Sequence, residues 1–249
     1  MIKHDYHLHT EFSYDSRIKG SDLLRKMIKL GFKEIAITEH LDLLPQELSL
    51  YGLPSLTKYR DYCKKLRENY QEISLHMGIE IGDYHKVYGF ATKLIEGFGF
   101  SPILGSVHFL SDHTNVAIPF AQPLSLLQIK DYYMQNLELV KLCDIDILAH
   151  LGVYKRYYTE KPDELPVQDI IDEIFTVMIK RNIALEINLS SLRKPYKQVI
   201  PEVDMINRYR KIGGKLISLG SDSHLINHVG PIPHFIDELC QGFELPLLT

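Results

Sequence analysis

Two histidines one residue apart, His7-Leu8-His9, stand near the start of a chain that contains twelve histidines and no tryptophan. On an extended segment, alternation carries both imidazoles to the same side, a spacing suited to chelating one metal ion. A second candidate is Ser221-Asp222-Ser223-His224, although Asp-Ser after a strand is also ordinary turn and cap chemistry. Glu80 is a third. It sits in the apolar run Met77–Ile81, where a lone buried carboxylate is costly unless paired or bound to metal. His40, His108 and His150 complete the set.

Taken singly, each of these residues has a bland alternative; their placement against the strands removes it. Short β-rich runs at His4–His7, Glu34–Thr38, Ser74–Ile81, Ile103–Val107, Ile145–Leu148, Ile183–Ile187 and Lys215–Leu219 alternate with amphipathic stretches. A helical stripe from Leu23 to Leu30 follows a Ser21 N-cap and is closed by Gly31. Further stripes occupy Thr57–Tyr70, Leu124–Leu142, Val167–Lys180 and Glu202–Ile212, the last led by Pro201 and closed by Gly213-Gly214. Seven strands with helices between them predict a parallel α/β fold, closed into a barrel, over a single domain of residues 1–249. His7 and His9 close strand one, His40 follows strand two, and Glu80 closes strand three. His108 and His150 close strands four and five, and Asp222 and His224 follow strand seven. The carboxyl ends of barrel strands converge on one face, so six histidines and two carboxylates point into one space. Protonated imidazoles would repel one another there; neutral ones sharing cations are the sensible reading.

The all-nitrogen-and-oxygen donor set suits catalytic Zn, Mn or Fe rather than a cysteine-rich structural zinc. It exceeds what one ion takes, so two to three divalent metal ions are expected, with Glu80 able to bridge two of them. Metal-activated hydroxide near neutral pH is the expected nucleophile, and open metal positions polarise the substrate. Composition is that of an ordinary globular protein. The chain is 249 residues long, 45% hydrophobic and 24% charged, which excludes disordered, collagen-like and coiled-coil classes. A formal charge of −4 gives no basic field for nucleic acid or an anionic membrane. Met1–Thr10 carries charges where a signal peptide needs an apolar run, and no apolar stretch reaches membrane-spanning length. Cys63, Cys143 and Cys240 are scattered and read as reduced, helix-buried thiols, so a cytoplasmic location is expected.

The motifs HLHTEFSYDS (His7–Ser16), TEH (Thr38–His40), GIEIG (Gly78–Gly82), GSVHF (Gly105–Phe109), AHLG (Ala149–Gly152) and GSDSH (Gly220–His224) resemble those of PHP-family (polymerase and histidinol phosphatase) metallophosphoesterases over nearly the whole chain. GSVHFL and the position of Asp15 resemble the histidinol-phosphatase branch in particular, which hydrolyses L-histidinol phosphate to L-histidinol and phosphate in histidine biosynthesis. The resemblance implies a distorted (β/α)₇ barrel with a trinuclear site. It implies one metal on His7, His9, Glu80 and Asp222, a second on Glu80, His108 and His150, and a third on Asp15, His40 and His224. Other family members carry histidine where this chain has Asp15, which gives the third site a harder ligand.

A phosphate dianion also calls for forked cations. Arg156 and Arg193 lie on loops at the expected face and form a candidate phosphate clamp, with Lys155 and Lys194 beside them. His228 is a candidate proton donor or substrate contact, and His85 has similar standing. His4, His76, His113 and His234 read as structural or surface residues, and Glu186 as support for a metal-bound histidine. Asp42, Asp83, Tyr84, Tyr154 and Tyr157 are candidates to meet the cationic amino-alcohol end. Loops at Leu41–Leu56 and Val153–Leu165 are long enough to cover the site in part. The expected partner is a small-molecule phosphate monoester, without nucleic acid or membrane, and the oligomeric state stays open. Alternatives are a nuclease or phosphodiesterase of the same family, a protein-tyrosine phosphatase, an amidohydrolase, or a non-catalytic metal-binding module. The acidic balance disfavours the nuclease, Glu80 replaces the modified lysine common in amidohydrolases, and the nine filled ligand positions disfavour the module.

Overall fold

Seven parallel strands follow one another in chain order around one sheet: β1 (His4–Leu8), β2 (Glu34–Asp42), β3 (Ser74–Gly82), β4 (Ile103–Ser106), β5 (Ile147–Leu148), β6 (Ala184–Asn188) and β7 (Ile217–Gly220). The structure is a computed structural model, and the residues described are 3–119 and 122–248. The helices are α1 (Gly20–Lys29), α2 (Pro45–Tyr51), α3 (Leu56–Asn69), α4 (Tyr84–Ile95), α5 (Leu126–Leu142), α6 (Gln168–Arg181), α7 (Val203–Ile212) and α8 (Phe235–Leu239). The first and last strands meet through a bridge between Leu8 and Ser223, with Asp222 N donating to His7 O at 2.8 Å. Buried Asp5 reinforces this seam by accepting from the backbone N–H groups of His7 and Ser221. The result is a distorted (β/α)₇ barrel, as expected. No helix among the described residues is long and apolar enough to cross a membrane.

Side-chain alternation decides what faces the barrel interior. On β3, Leu75, Met77, Ile79 and Ile81 join the main apolar core, so His76, Gly78 and Glu80 take the opposite face. The β2–β3 ladder runs in unbroken register and sets His40 opposite Glu80. Tyr6, Ala36, Leu104, Ile147, Ala149 and Ala184 form a second, smaller core toward the amino ends of the strands. On β1 the register shifts between Asp5 and Leu8. Tyr6 belongs to the small core and Leu8 to the main one, so after this irregularity His7 and His9 share the inward phase.

All seven expected strands are present, with ends differing by a residue or two except in β2, which runs four residues further, to Asp42, and so contains His40. Helix α1 starts at Gly20 after Lys19, so Ser21 lies within its first turn instead of capping it. Ser125 does cap α5, in a reciprocal capping box with Gln128. The pattern missed α2, α4 and α8. The first and last are short, and α4 is interrupted by non-helical backbone at Val87, which blurs its period.

Candidate metal centre

Glu80 is the hub. Its Oε2 lies 3.3 Å from His7 Nε2, 3.6 Å from His9 Nε2 and 3.0 Å from His40 Nδ1. Its Oε1 lies 2.9 Å from His150 Nε2 and 3.6 Å from His108 Nε2. Asp222 Oδ1 approaches His7 and His9 Nε2 at 3.8 and 3.7 Å. Asp15 stands at the outer side, 3.6 Å from His40 Nε2 and 3.2 Å from His224 Nε2. The nine residues singled out by the sequence therefore gather at the carboxyl ends of the strands. Ligand atoms of His7, His9 and Glu80, of Glu80, His108 and His150, and of His9, His40 and His224 lie within 4.8 Å of one another in each set.

Outer partners fix which nitrogen His7 and His9 present. His7 Nδ1 meets Glu186 Oε1 at 2.6 Å, so its proton belongs on Nδ1 and the Nε2 lone pair faces Glu80. The other oxygen of Glu186 accepts from His150 N at 2.6 Å and from Asn188 Nδ2 at 3.1 Å. One buried carboxylate thus steadies two candidate ligands. His9 is set by a relay absent from the expectations above. Glu39 accepts from the Ser13 hydroxyl, whose oxygen is then free to accept from His9 Nδ1 at 3.1 Å and from His40 N at 3.0 Å. Glu39 directly precedes His40 in a buried strand, and that adjacency was the available signal. Gly220 must be glycine: a Cβ there would lie 2.0 Å from Glu186 Oε1 and 2.6 Å from His7 Cβ. His150 and Asp222 hold left-handed φ values of 28° and 50°, the kind of backbone strain that persists where surrounding contacts over-determine it.

Buried Nε2 of His7, Nε2 of His9 and Oε2 of Glu80 have no hydrogen-bond partner. Donor atoms left unpaired and within 4.8 Å of one another fit a divalent cation. The carboxylates and imidazoles of the cluster set one another's protonation. Burial opposes charge on His7, yet Glu186, Glu80 and Asp222 outweigh it and hold its pKa well above the ordinary value. Burial, together with His224 and His40, drives His9 well below it. Burial also opposes charge on Glu80 and Asp222; His7 and His40 in the first case, and Arg156 and His7 in the second, keep both well below the usual carboxylate range.

The cluster opens into a cavity of about 510 Å³. Among the described residues its lining includes Arg156 but neither Arg193 nor His228. Arg156 Nη2 bonds Asp222 Oδ2, and Arg193 Nη2 donates to the backbone oxygens of Ser221 and Asp222 at 2.7 and 3.2 Å. Arg193 thus braces the segment carrying Asp222. His228 is half-buried, and burial with Arg193 and Lys194 nearby lowers its pKa. Lys155 is fully buried between Glu164 and Glu202, while Lys194 lies over the Tyr157 ring. Of the residues expected to meet an amino-alcohol, Tyr84 bonds Thr92, Tyr154 bonds Glu164, and Asp83 pairs with Lys86, so all three serve the fold. Asp42 lies near His40 and His108, and Tyr157 reaches Ala117 O at 3.4 Å. His85 is buried against Gln135. The segment after β2 is helix α2, which brings Glu47, Leu50 and Tyr51 to the cavity. Burial and the nearby Asp42 push Glu47 up to about 8.

The chain is similar to known proteins. The chain is 29% identical over 237 residues to the probable histidinol-phosphatase of Clostridium acetobutylicum, covering 91% of this chain and 88% of that one. It is 28% identical over 237 residues to the histidinol-phosphatase of Lactococcus lactis subsp. lactis, covering 90% and 85%. The fold superposes with a TM-score of 0.78 on the crystal structure of histidinol phosphate phosphatase from Lactococcus lactis subsp. lactis complexed with Zn, L-histidinol and phosphate. That match has 24% identity and covers 98% of this chain and 95% of that one. The PHP domain model matches residues 5–190, a span that opens at the seam aspartate on β1 and carries seven of the nine clustered residues, and on that match the chain belongs to the PHP-domain family.

Proposed function

We propose that this chain is a metal-dependent phosphomonoesterase that hydrolyses L-histidinol phosphate to L-histidinol and phosphate. One observation carries the reading: ligand-competent nitrogens and oxygens converge on Glu80 at the floor of a cavity that Arg156 also lines. The names of its relatives supply the substrate. His7, His9, Glu80 and Asp222 would hold one divalent cation, Glu80, His108 and His150 a second, and Asp15, His40 and His224 a third. When bound, such cations neutralise phosphate charge and lower the pKa of water toward neutrality. Hydrolysis of a phosphate monoester must be accelerated by removing on the order of 20 kcal/mol from its barrier, so positioning of charge dominates.

The protein's own residues do the positioning. Glu186 and the Ser13–Glu39 pair orient His7 and His9 before substrate arrives, so no reorganisation is needed on binding. Arg156, already held against Asp222, keeps its fork at the cavity wall, where it can take a phosphate oxygen. Arg193 acts one step back, by fixing the backbone of Ser221 and Asp222.

The test is phosphate release by Zn- or Mn-loaded enzyme from L-histidinol phosphate, beside p-nitrophenyl phosphate, a phosphodiester and a phosphotyrosine peptide. A kcat/KM of about 10⁴ M⁻¹s⁻¹ or more on histidinol phosphate, well above the rest, is expected. Preference for the diester or the peptide would replace this substrate with another.

A further inference from the structure

The cavity beside the metal-ligand cluster contains an acidic group that the fold leaves unsatisfied. Glu47 on α2 is only 6% exposed, its Oε2 is buried without a hydrogen-bond partner, and it lines the cavity. Native structures pair such oxygens with a donor or a cation. Of the other carboxylates of the lining, Asp15 pairs with His40 and His224 and Asp222 with Arg156, while Glu80 bonds His150 through Oε1 and turns its unpaired Oε2 to the histidine cluster. Close to Glu47, Asp83 is paired with Lys86, and Asp42, whose two oxygens are also buried without a hydrogen-bond partner, faces the Nδ1 atoms of His40 and His108 at 3.7 and 3.8 Å.

The surroundings of Glu47 say which kind of cation is missing. Tyr14 and Tyr51 line the same cavity and stack on each other, with ring centroids 3.6 Å apart and planes 7° from parallel. A metal ion wants several hard ligands gathered at one point, and among the described residues no such cluster of ligand atoms includes Glu47. An ammonium or imidazolium group is satisfied by one carboxylate and an aromatic surface. Helix α2 follows β2 and the turn bearing Arg156 follows β5, so in a ring of seven strands the two enter from opposite sides. A molecule with an anionic end at Arg156 and a cationic end at Glu47 would span the cavity.

We propose that Glu47, flanked by Tyr14 and Tyr51, is the subsite for a positively charged group on the substrate, and that it selects phosphate monoesters carrying an ammonium or imidazolium. This inference rests on the phosphomonoesterase reading above. It is tested with metal-loaded wild type, Glu47→Gln and Glu47→Lys on L-histidinol phosphate and on its uncharged isostere 3-phenylpropyl phosphate, with L-histidinol binding followed by calorimetry. Wild type should prefer the charged ester, and Glu47→Gln should lower the ratio of the two kcat/KM values by about 10- to 100-fold, as loss of a charged hydrogen bond does. L-Histidinol binding should weaken by a comparable factor, and Glu47→Lys should reverse the preference. An unchanged ratio, an equal loss on both esters, or no preference in wild type would overturn the subsite. If wild type hydrolyses neither ester, the phosphatase reading fails, and calorimetry still decides: binding of L-histidinol weakened in Glu47→Gln supports the subsite, and absent or unaltered binding overturns it.

Discussion

Replacing Glu186 with Gln isolates the support of the metal centre from the centre itself. Glu186 is fully buried and accepts from His7 Nδ1 and His150 N, both at 2.6 Å, and from Asn188 Nδ2 at 3.1 Å. Glutamine has the same shape but turns one of the two acceptor oxygens into a donor. Pointed at His150 N and Asn188, the new NH₂ leaves buried donors facing one another, at a cost of about 1–3 kcal/mol. Pointed at His7, it forces the proton onto Nε2 and removes the lone pair directed at Glu80. Either orientation should weaken metal binding about 10- to 100-fold, the usual effect of losing an outer partner of a ligating histidine. Zn affinity measured by competition with a chromogenic chelator, together with kcat/KM as a function of Zn concentration, reads this directly. Activity should return as Zn is raised, because the ligands themselves remain. A Zn affinity equal to wild type would refute the idea that Glu186 sets the tautomer of His7.

Other outcomes follow from neighbouring features. Asp222→Asn and His108→Ala should lose bound metal and nearly all turnover while keeping the wild-type circular dichroism; a fully active variant of either would remove that residue from the site. Lys155→Met should destabilise the fold by about 3–5 kcal/mol in urea denaturation, because Glu164 and Glu202 would be left as buried charges without their cation. Burial pushes His4 and His85 down to about 4, His4 despite the nearby Glu34. The unfolded chain therefore binds protons first as pH falls. Stability should be fully present above about pH 6.5 and decline between there and about pH 4, by up to about 3 kcal/mol for each histidine. Denaturation midpoints of His85→Gln that fall as steeply as those of wild type over this range would contradict a role for His85.

Much of this site could be read from the sequence because a parallel barrel turns strand ends into neighbours. Glu80 was conspicuous as a charge in an apolar run, and the alternation of Met77, Ile79 and Ile81 into the outer core confirms that it faces inward. Polar networks were harder to read. Lys155 looked like a companion of Arg156, but its partners Glu164 and Glu202 stand nine and forty-seven residues further on, beyond any local pattern. Arg193 was correctly placed near the site, yet its hydrogen bonds go to the backbone of residues brought there only by strand order. Glu47 escaped because α2 has seven residues, too few to show a period, and because its side chain faces a cavity that sequence alone does not outline.

The barrel seam has a thermodynamic meaning beyond shape. His7 lies on the first strand and His9 just past its end, and Asp222 and His224 follow the last strand, more than two hundred residues later. A cation shared across that gap would act as a clasp, closing a loop that contains nearly the whole chain. The entropy lost on such closure grows with the logarithm of loop length, so this is where a single coordinate bond restrains the most conformational freedom. Metal affinity and barrel closure would then be one linked equilibrium. Chelation should loosen the β1–β7 edge first, where the strands meet through a bridge and a few hydrogen bonds, while the nine-pair ladder between β2 and β3 holds by itself.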